Sequence, residues 1–150
     1  MLVYRLPRTP STPRITLWRK LRGLGVAQIV DGVVALPAGE QNREQLEWLA
    51  EDVVQAGGEA TIWLSEPATA AQHRELAQAM TARIEGEYRG ITAQAREAQE
   101  CPPAERRRTL ARLRRELRRV GARQHFPTNE AKAARAAVEA LGKVAAEAAA

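Results

Sequence analysis

The stretch VAQIVDGVVALP, residues 26–37, decides how the rest of the chain is read. Two runs rich in β-branched residues flank Asp31-Gly32, and that pair suits a two-residue type I′ turn, so strands are expected at about 26–30 and 33–36. The segment is therefore a hairpin. Just upstream lies a helix candidate: Ser11 or Thr12 is placed to cap it, Pro13 suits its first turn, and Gly23 supplies a stop. Ile15, Leu17, Trp18 and Leu21 make its apolar side. Farther upstream, MLVYRL at residues 1–6 reads as a short buried strand that Pro7 ends. Downstream, Asn42 with Gln45 three residues on forms a capping box for a helix whose inward face is Leu46, Leu49, Ala50 and Val53. Gly57-Gly58 closes that helix. EATIWLSEP, residues 59–67, supplies a last strand in which Thr61 and Trp63 alternate with Ile62 and Leu64.

Strand, helix, strand, strand, helix, strand is the split βαβ order, in which both helices cover one face of a four-stranded antiparallel sheet. The expected class is α+β, with a ferredoxin-like βαββαβ domain over residues 1–66. A winged helix, with residues 13–22 as reader and the hairpin as wing, is the competing arrangement, but it leaves the first and last strands without an obvious sheet. After Pro67 the pattern changes to a three-helix C-terminal extension over residues 68–150, with helices expected at about 68–99, 104–120 and 128–148. Leu76, Met80, Ile84, Tyr88, Ile91 and Ala95 hold helical spacing through the first, which at ~1.5 Å per residue would reach ~45 Å. Gly86 and Gly90 are expected to bend or weaken it, Cys101-Pro102-Pro103 to break it, and Thr128 to cap the last helix. Only the last few residues of the alanine-rich tail are expected to be disordered.

Charge is distributed unevenly along this frame. Six cations face one acid over residues 1–37, seven acids face one cation over 38–67, and nine arginines face two acids over 101–127. A net charge of +5 with this asymmetry suits a polyanion partner if folding brings the two basic segments onto one surface; otherwise the basic residues pair with the acidic helix between them. On a helical wheel Leu110, Leu113, Leu117 and Val120 share one side of the second extension helix, and Arg108, Arg112, Arg115 and Arg119 form a ridge opposite. Arginine grips phosphates bidentately, so the ridge is a candidate duplex-DNA contact, with a solvated outer face as the plainer alternative. No aromatic residue interleaves with it, which disfavours stacking on single strands. The first cluster, Arg5, Arg8, Arg14, Arg19, Lys20 and Arg22, is the second candidate DNA contact. Trp18 and Trp63 are expected in the core, whereas Trp48 falls opposite Leu46 and Val53 and is expected to contact the helical extension or a second subunit.

Signs of catalysis are few. Cys101, His73 and His125 lie far apart without metal-ligand spacing, Gly23 and Gly25 follow a helix instead of leading into one, and the acids of residues 44–52 form no matched acid/base pair. No enzyme, metal or cofactor is expected. A single cysteine excludes an internal disulfide, no run approaches the ~20 apolar residues of a membrane span, and the N-terminus lacks signal-peptide order, so a cytoplasmic location is expected.

The opening LVYRLP, the PRITLWRKLRGLG helix, the VAQIVDGVVALP hairpin, EATIWLSEP and the LRRELRRVGARQHF segment together resemble the N-terminal domain of the ChrB chromate-resistance regulators. The resemblance implies a DNA-binding regulator of chromate-efflux genes. Full-length members add a C-terminal domain associated with chromate response, to which nothing in this sequence corresponds. The family's arginine helix tends to finish in an Arg-Asp-Phe-Phe-like corner, where this chain reads Arg123, Gln124, His125, Phe126, so any acidic contact made there is expected to be lost. More distantly, the βαββαβ half resembles the small ferredoxin-like nucleases of CRISPR systems and a domain of phenylacetate-pathway repressors, which implies a dimeric habit. Those nucleases place a metal-binding aspartate at the end of the first strand, where this chain has Arg5 and Leu6; a cation does not hold Mg²⁺. Two further readings stand beside the regulator: a helical interaction or scaffold protein whose charges only solubilise it, and an oxyanion module whose arginines hold chromate.

Overall fold

Leu2, Val34 and Ile62 meet side by side where three strands pair, and the first half of the chain is built around that row. The computed structural model describes residues 1–147. Its chain forms two compact units, Met1–Met80 and Thr81–Ala150. The first contains β1 (Leu2–Arg5), α1 (Thr12–Leu24), β2 (Ala27–Val30), β3 (Val33–Ala35), α2 (Glu40–Gln55) and β4 (Glu59–Ile62), so the expected α+β class holds. The strands form one sheet in the order β2-β3-β1-β4, every pair antiparallel. The opening strand is thus central, which the winged-helix alternative did not provide for.

Alternation along the strands sends Leu2, Val34 and Ile62 to one side, where they join Leu17 and Leu21 of α1 and Leu46, Leu49 and Val53 of α2 in a single apolar cluster. Val3, Val33 and Thr61 alternate to the other side, and Trp63 follows them. Trp63 is 57% exposed, its indole N–H donating to Thr61 Oγ1 at 3.0 Å, because the helices at 12–24 and 40–55 both serve the Leu2 side of the sheet. The expected core role of Trp63 is therefore corrected. So is that of Trp18, and with it the breadth of α1's apolar side. Leu17 and Leu21 suffice to fill the narrow stripe facing the sheet, leaving Trp18 38% and Ile15 55% exposed.

Local signals were met with adjustments. Only Gly32 in the hairpin turn has positive φ, at 77°, and no non-glycine residue does, so the turn is not type I′, which needs both central residues left-handed. Pairing shifts between Gln28 and Val30, and the extra residue, Ile29, absorbs the twist mismatch as a bulge. α1 ends not at Gly23 but at Gly25 (φ 69°), whose N–H donates to the Arg22 carbonyl while that of Val26 reaches Leu21, the Schellman pattern. Gly57 and Gly58 close α2 in the same way, donating to Val54 and Val53. None of the capping side chains expected for these two helices acts as one: Ser11 already has helical φ/ψ, Thr12 lies inside α1, and Asn42 lies inside a helix that begins at Glu40, its amide donating to the Pro37 carbonyl at 3.0 Å.

α3 (Ala70–Glu97) begins in the first unit and continues into the second without interruption at Gly86 or Gly90. A 3₁₀ turn over Ala98–Glu100 and extended Cys101 separate it from α4 (Pro103–Gly121), which α5 (Asn129–Glu147) follows. Ile84, Tyr88, Ile91, Ala95, Leu113 and Leu141 lie in the core of the second unit. Many α5 residues in that core are alanines, which let helices approach closely. Thr128 caps α5 as expected, its Oγ1 accepting from the Ala131 N–H at 3.0 Å. The expected end of that helix at 148 and the expected disorder of the final residues lie outside the described residues.

Candidate nucleic-acid interface

α4 carries eight arginines, and the core they surround sorts them. Leu110, Leu113 and Val120 are buried, which turns Arg106 inward as well. Its guanidinium donates to the Gln99 and Cys101 carbonyls at 2.9 Å each, satisfying acceptors left open where the preceding 3₁₀ turn ends. The other seven arginines of α4 are exposed. The expected ridge of Arg108, Arg112, Arg115 and Arg119 is among them, together with Arg107, Arg114 and Arg118, which the ridge reading left out. At ~100° per residue these three fall beside the ridge, so the exposed cations span roughly 160° of the helix. A wheel would have shown this had the flanks been counted. Arg114 lies against α5, where a Cβ on Gly142 would come 3.3 Å from its guanidinium.

Acids neutralise little of that arc. Arg112 donates to Gln94 Oε1 at 2.7 Å and stands 3.6 Å from Glu116; the other six make no salt bridge among the described residues. Just past the helix, Arg123 is spent on a bidentate, half-buried pair with Glu87, at 3.0 and 2.6 Å. The adjacent corner is filled by an amide: the Tyr88 hydroxyl donates to Gln124 Oε1 at 2.6 Å, and Gln124 Nε2 donates on to the Phe126 carbonyl at 2.8 Å. The acceptor at this corner is thus a neutral amide in place of a carboxylate. Burial raises the Tyr88 pKa above its ordinary value, with Glu87 adding to the rise and Arg135 and Arg123 opposing it.

In the first unit the six expected cations divide. Arg5 pairs with Glu59 at 2.9 Å across β1 and β4, and Lys20 pairs with Asp52 at 2.6 Å between α1 and α2. Arg8, Arg14, Arg19 and Arg22 are exposed and make no salt bridge among the described residues. The acidic helix therefore claims only Lys20 from the cluster, while its Arg43 and Glu47 pair with each other at 2.7 Å. Beside the Lys20–Asp52 pair opens a cavity of about 310 Å³, lined by Leu6, Thr12, Thr16, Leu17 and Val53 among others. Trp48 is 55% exposed on the outer side of α2. Burial and the nearby Asp31 raise the Tyr4 pKa, and Arg14 opposes them.

Among the described residues no three His, Cys, Asp or Glu side chains converge to hold a metal ion, and no helix is long and apolar enough to cross a membrane. The Cys101 thiol lies 3.8 Å from the Glu97 carbonyl. The arrangement suits electrostatic binding of an extended polyanion: exposed guanidinium groups held on helices, most of them without a salt bridge among the described residues. A family model described as "Protein ChrB, N-terminal" matches residues 14–101, more than half of the chain, and the match ends just before α4. No curated protein and no solved structure matches the chain.

Proposed function

The chain belongs to the ChrB N-terminal family, and from that premise we propose that it is a non-catalytic DNA-binding regulator of the chromate-resistance type, acting on duplex DNA in the cytoplasm. The observation that carries the reading is the α4 surface, where seven arginines are exposed and, among the described residues, only Arg112 makes a salt bridge. Arg8, Arg14, Arg19 and Arg22 supply a second set of phosphate contacts. Arg5 and Lys20, tied to Glu59 and Asp52, are the weakest members of the proposed site. The first unit is read as ferredoxin-like, which its antiparallel order β4-β1-β3-β2 and the sharing of one core by α1 and α2 support. Arg5 standing where related nucleases carry an aspartate supports a binding role over a hydrolytic one. Trp48, large, apolar and exposed, is the proposed contact to a second subunit.

The test is a fluorescence anisotropy titration of a labelled duplex at two salt concentrations, repeated with chromate and with sulfate. Binding that weakens steeply with salt is expected, because each phosphate contact contributes roughly 0.9 to the slope of log K against log salt. A chain that leaves the duplex free at low salt is not a DNA-binding protein. Chromate, but not sulfate, acting at concentrations too low to screen charge would instead identify an oxyanion module.

A further inference from the structure

α1 shows a surface unlike α4. Ile15 and Trp18, which composition alone assigns to the core, are 55% and 38% exposed, and they lie among cations. At ~100° per residue the exposed arc runs Arg14, Trp18, Arg22, Ile15, Arg19 over roughly 140°, so that in projection down the helix each apolar position falls between two arginine positions. The helix contains no acid, and its remaining cation, Lys20, is drawn to the opposite flank by Asp52 at 2.6 Å. Partly exposed apolar groups set among cations that make no salt bridge among the described residues match a partner that is anionic at its edges and apolar between them. Duplex DNA has that profile in the major groove, with phosphates on either side and thymine methyl groups on the floor. The groove, about 12 Å wide, admits one α-helix of about 10–12 Å.

We infer that α1 enters the major groove of DNA, with Ile15 and Trp18 against thymine methyl groups and Arg14, Arg19 and Arg22 on the flanking phosphates. The inference rests on the DNA-binding reading and adds to it the element that senses base identity. Phosphate contacts from α4 position the protein without reading sequence; the apolar pair on α1 discriminates. Lys20 is a positioning residue that ties α1 to α2 through Asp52.

The test titrates two duplexes of identical thymine-rich sequence, one made with thymidine and one with deoxyuridine, which lacks the methyl group. Wild type, Ile15→Ala, Trp18→Ala, Trp18→Phe and an Arg108→Ala/Arg115→Ala double variant are compared at two salt concentrations, with thermal melting to confirm the fold of each. Wild type is expected to bind the thymidine duplex on the order of tenfold more tightly than the deoxyuridine duplex. Ile15→Ala and Trp18→Ala should shrink that preference towards one while the salt slope stays unchanged, and Trp18→Phe should retain much of it. The double arginine variant should lower the slope and keep the preference. Salt-dependent binding by wild type with no difference between the duplexes overturns the inference and leaves the DNA-binding reading intact. So does a preference that survives both alanine substitutions. Absence of salt-dependent binding by wild type removes that reading, and this inference with it.

Discussion

A methyl group on residue 32 would stand 2.5 Å from the Tyr4 carbonyl oxygen, and the backbone there has a φ of 77°. Gly32→Ala should therefore cost at least ~2 kcal/mol in urea denaturation, combining left-handed strain with steric overlap. Gly58 is bound as tightly, since a Cβ there would overlap the Arg5 carbonyl oxygen. Gly23 and Gly90 are the opposite case: both are helical with open space around them, and alanine at either should stabilise by ~0.5–1 kcal/mol in the same measurement. The need for glycine at 32 was legible in the Asp31-Gly32 pair. That Gly25 and not Gly23 turns left-handed was not, because both stand where α1 could stop. Tyr88 adds a pH-dependent term. Its hydroxyl is buried on Gln124, so Tyr88→Phe should destabilise by ~1–3 kcal/mol by leaving Gln124 Oε1 without its donor. Because burial raises the pKa of Tyr88, the unfolded chain loses this proton first. The stability linked to it is complete below pH ~10 and is lost as pH rises through the raised value. Between pH 9 and 11, chemical denaturation should show a steeper loss in wild type than in the phenylalanine variant.

At the scale of elements, two helix starts that look alike in sequence differ in structure. The Thr128 side chain accepts a backbone N–H and that of Ser11 makes no capping bond, so Thr128→Ala should cost ~1 kcal/mol by thermal or urea unfolding while Ser11→Ala changes little. α4 was the most legible element, because its apolar positions recur so regularly that burial of Leu110, Leu113 and Val120 orients every arginine on it. Replacing Arg108 and Arg115 together by alanine should weaken duplex binding at any sequence and flatten the salt dependence by roughly two units of slope, read by anisotropy. α1 was the least legible. Ile15, Leu17, Trp18 and Leu21 spread over more of the wheel than one sheet contact covers, and hydrophobicity does not say which of them the sheet takes.

Across the whole molecule the formal charge of +5 conceals acids that oppose a polyanion. Glu44 and Glu51 on α2 are exposed without a cation partner among the described residues. Changing both to glutamine should tighten duplex binding several-fold at low salt, an effect that disappears towards 1 M salt, where the Debye length falls to ~3 Å. Equal affinity at low salt would show that the acids do not oppose the bound DNA. Residue order alone determined the α+β class, the succession of strands and helices, and the stripe of leucines that points the α4 arginines outward, because each follows from period and turn chemistry within a few neighbours. Tertiary structure alone decided which cations remain free. Arg5 and Lys20 find Glu59 and Asp52, residues 54 and 32 positions away, and Arg123 finds Glu87 at a separation of 36. It also decided that Ile15, Trp18 and Trp63 stay partly exposed: exposure depends on whether another element arrives to cover a side chain, and that is a property of the packed chain that no local pattern encodes.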